Sequence, residues 1–261
     1  MTLIKHELRQ GAGTLAVWTA AIGFLLAVCV FLFSEMKGEM DGISELFASM
    51  GSFTAAFGMD RLNFGTFTGF YAVECGNILG LGGAFFASLA AAASLAKEER
   101  EKTAEFLLTH PVSRAQIVTE KLCALLLQIL MLNLVCLGLS AAAVAVIGEP
   151  LPWKEFGLLH LAYFLLQLSL AGVCFGLSAL LRRGSLGAGL GLAAMLYFLN
   201  LIASISEGAK FLKYLSPFAF AEGADIVANG RLDAVLLSLG MAYAAVGIAA
   251  AYGIYGRKDI H

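Results

Sequence analysis

Lys97–Lys121, KEEREKTAEFLLTHPVSRAQIVTEK, is the one long charged block of this chain, and apolar sequence of membrane grade flanks it on both sides. Ten of its 25 residues are Lys, Arg or Glu, whereas charged residues make up 14% of the whole. A charge cluster this dense is expelled from hydrocarbon, so the block lies in water between two spanning helices.

Working outward, 59% of the 261 residues are hydrophobic and mean hydropathy is +0.82. Soluble domains carry about 25% charged residues. A helix needs ~20 predominantly apolar residues to cross hydrocarbon. Six stretches qualify: roughly Gly13–Phe33, Phe70–Ala96, Leu122–Ile147, Phe156–Leu181, Leu186–Ser206 and Ala234–Tyr255. Too little sequence is left for a soluble domain. The expected fold is all-α and polytopic, one transmembrane domain over residues 1–261.

Six spans put both termini on one side, together with the charged block. That side holds eleven of the 17 basic residues and a net charge of +4, against −6 on the other. Basic loops stay in the cytoplasm, so both termini and Lys97–Lys121 are expected there. The first span follows Lys5 and Arg9 but is longer than a secretory h-region, and no small-x-small cleavage site follows Phe33. Leu26-Ala27-Val28-Cys29 only loosely matches a lipobox, because Val28 occupies a small-residue position. The segment reads as an uncleaved anchor. The five cysteines all fall within spans without a CxxC pair, which points to packing rather than to disulfides or zinc.

Thr2–Gln10 reads as an amphipathic helix, with Leu3, Ile4 and Leu8 toward lipid and Lys5 and Arg9 toward the anionic leaflet. Inside the charged block, Pro111 ends the preceding helix. Ser113-Arg114-Ala115-Gln116 then has capping-box spacing, which starts a new helix into the third span. Between charged turns, Phe106, Leu107 and Leu108 form a ridge suited to a membrane surface or to a partner's cleft. On the other side, Ser216-Pro217 is a helix-start signal and Asn229-Gly230 a stop. One or two short helices are expected in Glu207–Asp233, at the outer membrane surface. The Gly-x-x-x-Gly spacings at Gly76/Gly80, Gly172/Gly176 and Gly187/Gly191 are expected to pack helices within the bundle.

Seven polar side chains fall at membrane depth: Glu74, Asn77, Gln128, Asn133, His160, Gln167 and Asn200. Such groups are functional candidates. The competing expectation for Glu74 is a solvated position near the outer end of its span. For the amides it is interhelical hydrogen bonding, and for His160 an interfacial site. No Gly-x-x-x-x-Gly-Lys-Ser/Thr loop, His-Glu-x-x-His or Gly-x-Ser-x-Gly occurs. No catalytic residue and no metal site is expected, and ATP hydrolysis by this chain alone is excluded. Glu98-Glu99 matches the start of an intramembrane-protease pattern that fails at Thr103, where an Arg would be required.

Thr103, Glu105, Leu107, Leu108, Pro111, Val112, Ser113, Arg114 and Lys121 together resemble the Thr-x-Glu-x-Leu-Leu and Pro-Val/Ile-Ser-Arg signature of ABC-2-type transporter permeases. Lys102 stands where many members have Gly. Leu215-Ser216-Pro217-Phe218 with Asp225-Ile226 and Asn229-Gly230 resembles the family's last outer loop, and Arg257-Lys258-Asp259-Ile260 its closing tail. The resemblance runs the length of the chain. It implies a dimeric permease with a homologous or identical second subunit. Each subunit would engage a separate ABC ATPase that binds ATP and Mg2+, within the inner membrane of a bacterial cell. Thr103, Glu105, Phe106, Leu107, Leu108, Pro111, Ser113, Arg114 and Lys121 would then belong to a coupling helix and its stems, and Thr2–Gln10 to an interface helix. Export is the family's prevailing direction. Membrane lipid is an expected contact and nucleic acid is not. The rival readings are an ion-driven secondary transporter and a membrane scaffold or sensor that moves nothing. Substrate identity is not encoded in any motif.

Overall fold

The computed structural model describes residues 2–38, 51, 54, 56–96, 113–181 and 186–257. Helices α1 (Thr2–Met36), α2 (Phe67–Cys75) and α3 (Gly82–Ser94) come first, with a π-helical segment, Gly76–Leu81, joining α2 to α3. Then follow α4 (Arg114–Ile147), α5 (Trp153–Leu180) and α6 (Leu186–Ile205). Two 3-10 turns (Glu207–Tyr214 and Pro217–Ala221), α7 (Gly223–Asn229) and α8 (Ala234–Arg257) complete the order. Six of these units are long and apolar enough to cross a membrane, α2 and α3 counting as one span. The chain is an all-α polytopic membrane protein.

α5 is the central post. It is the most buried of the spans, and α8, α3 and the second 3-10 turn pack directly on it, while α1 lies along α4 and α6 along α3. The close crossing of α5 and α8 follows from glycine. A Cβ at Gly172 would sit 2.6 Å from that of Ala244, and one at Gly176 would sit 2.5 Å from the Gly247 carbonyl. Gly76 and Gly80 instead receive the Tyr163 ring. The third glycine pair departs from expectation. Gly187 and Gly191 are exposed, and the glycine of α6 that packs inward is Gly189, against the Ser88 carbonyl and Ala92. Spacing alone does not say which face of a helix meets the bundle. Large apolar side chains such as Val17, Phe24, Leu134, Phe198 and Val246 stay exposed, which suits a lipid solvent.

Two helices begin earlier than hydropathy indicates. α1 runs unbroken from Thr2, so the amphipathic segment is helical but continuous with the first span. Its sides are also turned round. Leu3, Ile4, Glu7 and Leu8 are half-buried while Lys5 and Arg9 are exposed, because Glu7 is drawn toward a buried cation. α4 starts at Arg114 rather than near Leu122. At 1.5 Å per residue α1 and α4 are each about 50 Å long, well beyond the ~30 Å of hydrocarbon.

On the opposite end, Ser216 caps its 3-10 turn by accepting from the Phe218 N–H at 3.3 Å while donating to the Leu196 carbonyl at 2.7 Å. This ties the loop down onto α6. Gly230, at φ 58°, ends α7, as Asn229-Gly230 predicts.

Candidate functional site

Thr103, Glu105, Phe106, Leu107, Leu108 and Pro111 lie outside the described residues, as does Lys258-Asp259-Ile260. The stems of the loop are described, and they are fastened with unusual density. Ser113 accepts from the Gln116 N–H at 3.1 Å, the forward half of a capping box. The reverse half is not present among the described residues; the Gln116 side chain instead donates through Nε2 to Glu120 at 2.9 Å. Arg114 donates to the carbonyls of Gly256 and Tyr255, at 3.3 and 3.4 Å, at the end of α8. One turn on, Thr119 shares a hydrogen bond of 2.8 Å with the Tyr252 hydroxyl. On α1, the Ile4 N–H donates to Glu120 at 3.3 Å.

Lys121 is the centre of this bracket. Its side chain is wholly covered, so it presents no contact surface, contrary to the expectation from the signature. Its ammonium donates to Glu7 Oε1 on α1 and to the Ser94 carbonyl at the end of α3, both at 2.9 Å. Both stems of the 97–112 loop therefore meet at one cation, and α1 supplies the counter-charge. A buried charge is tolerated only when paired and hydrogen-bonded. Glu7 went unnoticed in the sequence because 114 positions separate it from its partner.

Deeper in the bundle a polar seam joins α5 to the second span. Asn133 Nδ2 donates to Gln167 Oε1 at 2.6 Å and to the Ile129 carbonyl at 2.8 Å. Gln167 Nε2 in turn donates to the Leu79 carbonyl in the π-helical segment, at 3.3 Å. A π segment shifts the helical ladder and is frequent at functional positions; here a side-chain amide meets one of its carbonyls. Gly83 is required for that reach, since a Cβ there would lie 2.1 Å from Gln167 Nε2. One turn outward the Tyr163 hydroxyl donates to the Ala72 carbonyl at 3.3 Å. His160 lies next, 5% exposed, its Nε2 2.9 Å from the Tyr71 hydroxyl. It is thus buried in the bundle, on a contact face of α5 that already starts at Phe156. Tyr71 and Tyr163, which no sequence motif marks, complete the seam.

The remaining intramembrane candidates diverge. Among the described residues, half-buried Glu74 receives only the weak thiol donor of Cys29, at 3.8 Å. Asn77 and Asn200 both line a cavity of about 70 Å3 that also touches Tyr163, Tyr197 and Glu222. Asn200 is 8% exposed and its Oδ1 makes no hydrogen bond to the described residues. Gln128 is remote from all of these. It lines a larger cleft near Lys121.

At the end of the bundle opposite the loop stems, Arg61 contacts both Glu222 and Asp225, while Lys213 lies 3.2 Å from Glu222. Partial burial works against the Arg61 charge, but Glu222 and then Asp225 outweigh it and raise its pKa above the ordinary guanidinium value. This cluster pins the 54–66 segment to α7.

The amide seam and the fastened loop stem lie within a bundle whose six long apolar helices make the chain a multi-pass membrane protein. The chain matches the model of the ABC-2 family transporter protein over residues 1–260 and belongs to that family. A search among curated proteins found no match.

Proposed function

We propose that the chain is the permease subunit of an ATP-binding-cassette exporter, acting with a second permease subunit and a separate ATPase that holds ATP and Mg2+. Both termini and the 97–121 loop face the cytoplasm of a bacterial cell, and the loop docks on the ATPase through Phe106, Leu107 and Leu108. The observation that carries this reading is the Lys121 bracket. A push on the loop reaches α3 through Ser94, α4 through Lys121 and α1 through Glu7, and Arg114 extends it to α8. Four of the six spans are thereby linked to one input. The Gln167 seam then offers a route from the moved α3 and α4 to α5, because Gln167 touches Asn133 of α4 and the π segment that leads into α3.

Glu7→Gln and Lys121→Met should leave capture of the ATPase unchanged while reducing stimulation of its ATP hydrolysis, measured on the complex in lipid. Full stimulation in both variants would remove the bracket from the mechanism. Robust ATP hydrolysis by the purified chain alone would overturn the permease reading itself.

A further inference from the structure

Beside the bracket, α1 runs close along α4 but touches α3 only sparsely. The gap between them is a cleft of about 340 Å3, walled by all three helices. That volume falls in the range of small-molecule sites, ~300–1,000 Å3. Its α1 wall runs from Glu7 to Trp18, a rise of about 16 Å, close to the ~15 Å depth of one leaflet's hydrocarbon. The inner half is apolar, with Phe86, Leu89 and Leu125, and Trp18 closes it with its ring centroid 6.2 Å from that of Phe86. The other half is polar but not available to a charge. Glu7 and Lys121 engage each other, and Lys121 also engages Ser94. Gln10, Thr14 and Gln128 also line the cleft, and no hydrogen bond from any of them to another described side chain is present. Gln128 lies close to α1: a Cβ at Gly11 would be 2.6 Å from its Nε2, so a side chain there would displace the amide.

We propose that this cleft binds one membrane amphiphile, its single hydrocarbon chain against Phe86, Leu89 and Leu125 and its uncharged ester, amide or hydroxyl group held by Gln10, Thr14 and Gln128. An aromatic floor and an amide rim match such a molecule from both ends. The neutralised Glu7–Lys121 pair gives no advantage to an ionic headgroup. The inference is independent of how the chain engages an ATPase.

The chain has two tryptophans, and Trp153 is exposed at the start of α5. In a Trp153→Phe background, Trp18 alone reports on the cleft. The purified protein in neutral detergent is titrated with a monoacylglycerol brominated in its chain, with the equally brominated fatty acid and with a brominated diacyl phosphatidylcholine. Saturable quenching of Trp18 by the monoacylglycerol is expected, with the fatty acid at least about fivefold weaker. The diacyl lipid should not quench saturably; saturable quenching by it would overturn the single-chain, uncharged assignment. Ala90→Leu, which fills the cleft from α3, should abolish the saturable component. Gln128→Leu should weaken it about fivefold, the cost of one neutral hydrogen bond, and serves as the test should Ala90→Leu fail to fold. Quenching that grows in proportion to the brominated fraction and is untouched by both substitutions would overturn the site. Equal affinity for the fatty acid would overturn the uncharged-headgroup assignment.

Discussion

The Lys121 side chain is wholly covered, and Glu7 Oε1 and the Ser94 carbonyl both accept from its ammonium. Removing one member of a buried pair strands the other and typically costs about 3–5 kcal/mol, whereas replacing both by apolar groups is close to neutral. Lys121→Ala should therefore lower the thermal midpoint of the purified protein sharply, and Glu7→Leu with Lys121→Met should recover most of the loss. If the double variant is no better than Lys121→Ala, the two residues do not act as a pair. Gly83 gives a second test at this scale. Gly83→Ala places a methyl where Gln167 reaches the Leu79 carbonyl, and overpacking of this kind costs about 1–3 kcal/mol. Pairing it with Gln167→Ala should make the two effects less than additive, read from thermal midpoints of all four combinations.

Helices carry the next set of consequences. Ser113 is the N-cap of α4, and Ser113→Ala should cost about 1 kcal/mol. Gln116→Ala should cost less, because the Gln116 side chain bonds Glu120 rather than closing the capping box. Comparing the two thermal midpoints checks this order. Gly176→Val should disrupt the α5–α8 crossing and sharply reduce the yield of folded protein, while Gly191→Val, on an exposed face of α6, should not. Equal yields would contradict the packing described. The six spans, the Ser113 start, the Ser216 cap and the use of intramembrane amides as interhelical hydrogen-bond partners were legible in the sequence, since each follows from hydropathy, local capping chemistry or the cost of a bare amide in hydrocarbon; which amide meets which was not. Nor was the unbroken continuity of Thr2–Gln10 with the first span. The amphipathic pattern marked a helix there, but only the pairing of Glu7 with Lys121, which no local pattern shows, makes its first turns part of the packed bundle. His160 misled for a related reason: closeness in sequence to an interfacial Trp153 says nothing about which side of α5 it occupies. The π segment left no readable mark at all, because Gly76–Leu81 has the composition of any transmembrane helix.

For the whole molecule, the proposed orientation predicts that reporters fused after Gly184 and after His261 both register the cytoplasm, and one within residues 34–69 the outside. A C-terminus on the outside would put the charged loop where no ATPase could reach it. The outer end is closed by the Arg61, Lys213, Glu222 and Asp225 cluster and the inner end is braced by Lys121, so movement applied at the loop has a rigid body to act on. The proposed function makes the loop the docking element, with its apolar ridge toward the ATPase. An exposed charge reversal shifts stability by no more than about 0.5 kcal/mol, so loop variants should still be made and inserted. The direct measurement is capture of the cognate ATPase from detergent by the wild-type chain, Leu107→Asp, Glu105→Arg and, as control, Glu39→Arg. The account predicts full capture by wild type and Glu39→Arg and a marked loss with both loop variants; equal capture by all four would contradict it.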